Sequence, residues 1–570
     1  MKRSIKKMRQ TSMILMSDFY KQSHAEQYPE GITKLISYAT ARMSRVPKEM
    51  YGDKITVFGI QAYVKDFLIE RFNETFFNVS LEEAMAEYNE IIGETFPIKY
   101  VDTGKFEALH KLGYLPVEVG CLPEGTRVPI RSAFELPEGQ CQVPFMYIIN
   151  THPDFPWITE FLESVTSSEV WYPMAIANQA YYYRQIVNRW YNTTGCGDST
   201  CKSAISEFGF RGGKSSDAAT KASAAFLTSF NKTATIPAIK YLHEYYNEPY
   251  TNGNIGSGMI STEHSVMCSN YAIDGDEKTF LNKLFTKIYP GGALSVVMDS
   301  YDYWANLQRC GVGKLREAVM GRAGTVFFRG DSGDPVDIIC GYKPQVFATF
   351  EDMKSSRAVK GDYVYIKDEQ RYYTFSKYEG KWIALDTVPV EVKGTVELLW
   401  DMFGGTVNKA GYKVLDSHVR AIYGDSITPN RADAMYKRLA EKGFASCNVV
   451  LGAGSFSTQC AEDSNGDLYP FTRDSYGIAV KATWCENKNT EKEYQLFKNP
   501  KTDTGKFKKS QKGLIYVTLD EKGEIIAKDG YTSETLPKDG NLLQPIFRNG
   551  EMLHEEALSE IRNRLHEGKF

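Results

Sequence analysis

A chain of 570 residues exceeds what one ordinary hydrophobic core organises, so two large domains are expected. Its 42% hydrophobic and 24% charged content is that of a folded globular protein, and a formal net charge of -4 excludes a general nucleic-acid binder, which needs a basic face. Ten scattered cysteines without a CxxC pair, and eight histidines without an HExxH or finger pattern, exclude a disulfide framework and a dedicated zinc site.

The basic start MKRSIKKMRQ lacks the apolar run of a secretory signal, and no stretch approaches the length of a membrane span. A soluble, cytoplasmic protein with reduced thiols is expected. Up to about Asn150, Leu115–Val119 and Thr126–Ile130 read as short strands around the turn Pro123-Glu124-Gly125, a β-rich layer with one wet face. Trp171-Tyr172-Pro173 then leads into a long, aromatic-studded helix over Ala175–Tyr191. The middle of the chain is more regular. Leu294–Met298 runs into Asp299, Thr325–Phe328 into Arg329-Gly330-Asp331, Val419–Tyr423 into Gly424-Asp425, and Asn448–Leu451 into Gly452-Ala453-Gly454-Ser455. Helical stretches such as Asn430–Lys442 separate these runs, so they are expected to be buried parallel strands of an α/β barrel or open sheet. In either arrangement the C-terminal strand ends converge on one face, where catalytic groups sit. Between Cys340 and about Val392, alternation at Gly361–Ile366, Arg371–Phe375 and Lys381–Leu385 predicts an inserted antiparallel sheet. A polar tail from Lys498 ends in a helix predicted over Glu551–His566.

The strand ends carry the chemistry. Arg329–Pro335 (RGDSGDP) combines a guanidinium that can grip phosphate oxygens with carboxylates that can hold magnesium or ribose hydroxyls. Alone it is an ordinary Gly-Asp turn, but Asp299-Ser300-Tyr301-Asp302 and Gly424-Asp425-Ser426 have similar form. Three acid-bearing ends facing one cavity repel one another unless a cation or sugar hydroxyls bind there, which points to a polyphosphorylated, hydroxyl-rich ligand with magnesium. Gly452–Ser455 offers backbone N–H donors, although a tight turn explains it equally well. Phe208-Gly209-Phe210-Arg211-Gly212-Gly213 can stack a flat base while holding its phosphorylated partner; on its own it also reads as a strand edge with a surface arginine. Ser261–Ser265 presents His264 with Glu263 beside it, either to a phosphate or as a packed or capping residue.

Together and in this order, these segments resemble the nicotinamide phosphoribosyltransferase family of type II phosphoribosyltransferases. The likeness starts at Ser17–His24 and Gln27-Tyr28-Pro29, and recurs at Leu115–Pro129, Trp171-Tyr172-Pro173, Phe208–Gly212, Thr262–Ser265, Ser295–Asp302 and Arg329–Pro335. It closes at Gly424-Asp425, Gly452–Gly454, Thr472-Arg473-Asp474 and Lys481. The resemblance implies a β-rich domain formed by residues 1–165 with 456–570, an irregular α/β barrel over 166–455, and a β insertion over 341–392. It implies a homodimer whose active sites are completed across the interface. Phe208 and the partner subunit's Tyr20 would then sandwich the pyridine ring near Asp18 and Arg211. Arg211, His264 and Arg329 would face the pyrophosphate, and Asp299, Asp331 and Asp425, with Gly424, Gly452 and Gly454, would serve the ring amide, ribose and magnesium network. Arg42, Arg473 and Lys481 would hold the ribose 5-phosphate.

The reaction so implied joins nicotinamide to 5-phosphoribosyl 1-pyrophosphate in NAD salvage, with catalysis resting on positioning and on stabilisation of the leaving charge. ATP is implied as a facultative activator through phosphorylation of His264. The chain departs from the family at Ala234, where amide-preferring members carry an aspartate, and at Ala479, where a serine commonly assists the 5-phosphate. Losing the aspartate acceptor removes a hydrogen bond to the carboxamide, roughly 1 kcal/mol net. Three alternatives follow: a nicotinate-using transferase, with Lys232 as the cation; a relative using a pyrophosphorylated ADP-ribose donor, with which the insert is compatible; and a non-catalytic nucleotide-binding protein on the same scaffold.

Overall fold

The structure, a computed structural model, describes residues 10–97, 101–356, 363–376, 378–500, 502 and 510–568. The basic segment before Gln10, and Gly361 and Asp362 of the expected insert strand, lie outside the described residues.

An antiparallel sheet of seven strands draws on both ends of the chain, in the order Lys492–Gln495, Ile478–Asn487, Ile32–Ala41, Pro144–Asn150, Val117–Cys121, Gln544–Arg548 and Glu551–Met552. Ile32–Ala41 pairs on one side with Pro144–Asn150 and on the other with Ile478–Asn487, setting Tyr38 opposite Lys481 and Ala41 opposite Ile478. The expected neighbour of Val117–Cys121 is elsewhere. Thr126–Ile130 shortens to Arg127–Pro129 and pairs with Lys54–Thr56, because the buried Glu124 carboxylate accepts the Gly59 and Gln61 N–H groups at 3.0 and 2.7 Å and pulls the turn away from the large sheet.

The long helix also differs from expectation. It covers Glu163–Thr193 and runs straight through Pro173. A proline in a helix interior loses one hydrogen bond, but here its ring packs on Gly59, where a Cβ would come within 2.8 Å of Pro173 Cβ. Tertiary packing offsets the local penalty.

The second sheet is wholly parallel. Its strands are β1 (Ile205–Glu207), β2 (Ile260–Ser261), β3 (Leu294–Val297), β4 (Val326–Gly330), β5 (Val419–Tyr423) and β6 (Val449–Ala453), in the order β1-β6-β5-β4-β3-β2. Single bridges from Glu207 to Thr233 and from Lys232 to Ser257 extend the pairing from β1 toward the segment entering β2. The sheet thereby curls back on itself irregularly, as a half-barrel. All four residues of β3 are buried, and β5 and β6 are buried except at their second positions, the pattern of strands covered on both faces. Helix Pro429–Glu441, capped by Thr428 through the Arg431 N–H at 3.3 Å, is one of those covers. Because the strands are parallel, the ends of β3, β4, β5 and β6 open on one rim.

The insert forms a four-stranded sheet, Gln345–Phe347, Tyr363–Ile366, Arg371–Ser376 and Lys381–Leu385, antiparallel except for its first pair. It has a small core of its own around Met353, Val364, Ile366 and Tyr373. The chain leaves and re-enters the barrel where Gly341 (φ 94°) crosses Gly394 (φ 76°); a Cβ on Gly394 would stand 2.2 Å from the Gly341 nitrogen, so neither position accommodates a side chain. The expected terminal helix begins only at Leu558. Glu551–Met552 instead add an edge strand opposite Phe547 and Arg548, and the helix starts where Glu560 accepts the Ala557 N–H at 2.7 Å. All ten cysteines are free thiols, and no helix among the described residues is long and apolar enough to cross a membrane.

Candidate active site

Asp299, one residue beyond Met298 at the end of β3, is the hub of the rim. Its Oδ1 lies 3.2 Å from His264 Nε2, while its Oδ2 accepts the Asp331 N–H at 2.8 Å and the Ser332 hydroxyl at 2.7 Å. One carboxylate therefore ties the end of β3 to the turn after β4 and to the first residue of helix His264–Asp274. Burial alone would raise its pKa, but the bonds from Ser332, Asp331 and His264 outweigh it and hold the carboxyl below its ordinary value. Only 7% of the Asp299 side chain is exposed, against 45% for His264, so the imidazole looks outward from a buried anion.

Arg329, near the end of β4, reaches across β3 and is fixed at the end of β2. Its Nη1 donates to Ser261 Oγ and its Nη2 to the Thr262 carbonyl, both at 2.9 Å, while its Nε is buried without a protein partner. Asp331 stands 4.0 Å from that Nε. Asp302 and Asp334, which share the acidic motifs, are used locally. Each caps a helix, through the Ala305 N–H and through the Val336 and Asp337 N–H groups, respectively. Asp425 is exposed and accepts the Ser426 hydroxyl at 2.9 Å. Both Asp299 oxygens being engaged, Asp331 and Asp425 are the rim carboxylates with acceptor capacity left for a ligand.

Across the rim, Phe208 follows β1 and is held by its N–H to the Ala453 carbonyl at 2.9 Å. Its ring lies on a shelf of glycines. A Cβ at Gly452 would fall 1.9 Å from Phe208 Cε1, one at Gly424 2.8 Å from Cζ, and one at Gly454 3.7 Å from Cε2. Close ring approach, not turn geometry, thus explains the Gly residues at the ends of β5 and β6. Arg211 sits exposed in the short 3-10 helix Phe210–Gly212, beside Ser455. Ala234 is exposed next to this strand end, its N–H donating to the Glu207 carbonyl at 2.7 Å. Lys232 Nζ donates to Ser257 Oγ at 2.6 Å.

Asp18, Tyr20, Arg42, Arg473 and Lys481 form a separate group. Asp18, Tyr20 and Arg473 line a cleft of about 350 Å³ with Glu163, Ser164 and Trp171. Lys481 Nζ donates to Glu163 at 2.6 Å, and Arg42 donates through Nε to the Gly477 carbonyl at 3.2 Å. Burial, with the Arg473 cation adding to it, pushes the Arg42 guanidinium below its ordinary value. Tyr20 is 55% exposed. Among the described residues, no hydrogen bond, ion pair or ring contact joins this group to Phe208, Arg211, His264, Asp299 or Arg329.

Four participants escaped the sequence reading: Ser332, Ser261, Thr262 and Glu207. Ser332 lies inside the RGDSGDP motif, where its hydroxyl was the available signal. Ser261 ends a strand of two residues, too short for periodicity, and Thr262 follows it. Glu207 follows Ser203-Ala204-Ile205-Ser206, a mixed stretch that gives no signal. Among the described residues, no three His, Cys, Asp or Glu side chains converge as a metal cage. The donor set fits magnesium only as an ion brought in on phosphate oxygens and met by one or two carboxylates, Asp331 and Asp425.

Residues 203–537 match the model of the nicotinate phosphoribosyltransferase (NAPRTase) family, and residues 12–118 match that of the nicotinamide phosphoribosyltransferase N-terminal domain. A nicotinamide phosphoribosyltransferase of Acinetobacter baylyi is 35% identical over 96% of this chain and 96% of its own. One of Xanthomonas campestris pv. campestris is 26% identical over 97% of each. Human nicotinic acid phosphoribosyltransferase, a solved structure, is 14% identical with a TM-score of 0.46, covering 97% of this chain and 93% of that one.

The depressed Asp299 carboxyl has a pH consequence. A folded-state pKa below the unfolded value adds stability above the unfolded pKa, and that stability is lost as pH falls through the folded one. Unfolding titrations of wild type and Asp299→Asn should therefore differ most at about pH 6 and converge below about pH 4, near the ordinary carboxylate range. A difference independent of pH would remove the charge from this explanation.

Proposed function

The chain belongs to the nicotinate phosphoribosyltransferase family, and on that premise we propose that it joins nicotinamide to 5-phosphoribosyl 1-pyrophosphate, yielding nicotinamide mononucleotide and pyrophosphate in NAD salvage. The carrying observation is the convergence on one rim of His264, Asp331 and Arg329 with a ring, Phe208, whose outer edge rests against glycines. His264 and Arg329 suit a diphosphate, Asp331 suits the ribose hydroxyls or magnesium that accompany it, and Phe208 suits a planar base.

The pyridine nitrogen attacks C1 of the ribose as the C1–O bond to pyrophosphate breaks. Phe208 orients the ring. Arg329 keeps a second N–H on each of Nη1 and Nη2 beyond its bonds to Ser261 and Thr262, and these, with outward-facing donors from Arg211 and His264, meet the oxygens that gain charge as the C1–O bond breaks. Asp299 acts through His264 and through the 331–332 turn. Asp331 and Asp425 take ribose hydroxyls and a phosphate-borne magnesium ion, which when bound neutralises part of the leaving charge. With Nε2 directed at Asp299, His264 Nδ1 is the nitrogen left to accept a phosphoryl group, the route by which ATP acts as an optional activator.

The amide is favoured over the acid on two grounds. The N-terminal domain matches the nicotinamide type, and Lys232, the cation a carboxylate would need, is held by Ser257. The second group of residues completes the site from a partner subunit in a homodimer. Two features support this: helix His264–Asp274 buries only Met267 and leaves Ile273 84% exposed, and Tyr20 is free to cover a second copy's Phe208.

Two experiments test this reading. Purified protein with magnesium and phosphoribosyl pyrophosphate, offered nicotinamide or nicotinate separately with and without ATP, should give the mass of nicotinamide mononucleotide. Arg329→Gln should retain the wild-type melting temperature and lose about 10²–10³-fold in kcat/KM. Product from nicotinate alone, or full activity in Arg329→Gln, would contradict it. Phe208→Ala and Arg473→Ala, each inactive, should on mixing and reassembly recover about a quarter of wild-type activity, since half the dimers are mixed and each restores one site. Recovery of none would place all groups of a site in one subunit.

A further inference from the structure

The geometry points to Glu207 as the residue that positions the base-stacking ring, an inference that rests on the reading of Phe208 as the base platform. Glu207 is the last residue of β1 and only 1% exposed. Its Oε1 accepts the Gly209 N–H at 2.6 Å, and its Oε2 accepts the hydroxyls of Thr233 and Thr235, both at 2.9 Å. Its backbone takes part as well: the Glu207 N–H donates to the Lys232 carbonyl at 3.0 Å, and its carbonyl accepts the Ala234 N–H at 2.7 Å. One residue thus pins both neighbours of Phe208 and the 232–235 segment, at the place where the parallel sheet is closed by single bridges instead of a strand.

The charge type at this position is dictated by its partners. Thr233 Oγ1 accepts the Thr235 N–H at 2.9 Å and lies 2.9 Å from Ser223 Oγ. With its proton given to Glu207, the Thr233 hydroxyl must accept from Ser223, so both of its lone pairs are engaged. A glutamine at 207 could keep the Gly209 bond only by donating from its amide nitrogen to both hydroxyls, which turns the Thr233 proton to Ser223 and replaces three charge-assisted bonds by neutral ones. Only a carboxylate accepts from the Gly209 N–H and both hydroxyls together. The glycine shelf makes the position of Phe208 critical. With the ring already at the limit of approach to Gly452 and Gly424, the Phe208-Gly209 turn has no room to settle inward, and losing Glu207 frees it to move toward the base.

Glu207 touches no reacting atom in this account; its effect is on where the ring stands. Steady-state kinetics of Glu207→Gln and Thr235→Val, with thermal melts, separate this role from general damage. Glu207→Gln should raise the KM for nicotinamide about 10-fold, the effect of exchanging charge-assisted for neutral hydrogen bonds around Phe208. Thr235→Val, which deletes one donor, should raise it by roughly 3-fold. The KM for phosphoribosyl pyrophosphate should stay within about 2-fold of wild type in both, and Thr235→Ser, which keeps the hydroxyl, should restore the nicotinamide KM. An unchanged nicotinamide KM in both variants, or equal increases in the two KM values, would overturn the inference. Should Glu207→Gln not fold, the Thr235 pair decides alone. A wild-type protein inactive with either base would instead defeat the proposed function, and the two failures are distinct.

Discussion

A single carboxylate, Asp299, holds the rim of the parallel sheet together. Strand ends in such a sheet are brought near one another by topology, but only to within several ångströms, and the turns that follow are free to diverge. Asp299 removes that freedom by accepting from the backbone of the turn after β4, from Ser332 within it, and from the imidazole that opens helix His264–Asp274. Bonds of this charge-assisted kind contribute roughly 1.5–3 kcal/mol each when buried. That is enough to fix side-chain geometry on a surface otherwise lined with like charges. Asp331 and Asp425 can then face a ligand, because the acid between them and His264 has both oxygens turned to donors.

The opposite side of the rim obeys a steric constraint. Phe208 lies where the ends of β5 and β6 present Gly424, Gly452 and Gly454, and any side chain at Gly452 would occupy the ring itself. In the proposed site, stacking and phosphate handling would therefore fall to different kinds of residue on one sheet, the first by shape and the second by charge. Of the cations, Lys481 lies on the antiparallel sheet, Arg42 just past one strand and Arg473 in the 3-10 turn before the next, and the pairing of Ile32–Ala41 with Ile478–Asn487 gathers them from opposite ends of the chain.

Much of the rim was legible in the sequence because strands buried on both faces leave continuous apolar runs, and each of the four runs stopped at Asp, Arg or Gly. Asp299, Asp331 and Asp425 could be read from that pattern. β1 and β2 could not, since strands of three and two residues have no period to detect. The helix through Pro173 was shortened in the reading because local propensity gives no weight to a ring packing on Gly59. The terminal helix was lengthened because Glu551–Met552 form strand only through a partner at Phe547-Arg548. The grouping of Arg42 with Arg473 and Lys481 came from family resemblance, and the register between distant strands supplies its physical cause. Ser332 and Glu207 act on backbone and hydroxyl groups, whose positions no one-dimensional pattern records.

If the rim is a diphosphate site organised by Asp299, its most direct measurement is the equilibrium binding of magnesium pyrophosphate by calorimetry, comparing wild type with Asp299→Ala. The account predicts one site per subunit in the wild type and affinity weakened about 10-fold or more in the variant, with the fold intact by circular dichroism. Equal affinity in the two proteins would show that the rim does not depend on Asp299, and would contradict the account at its base.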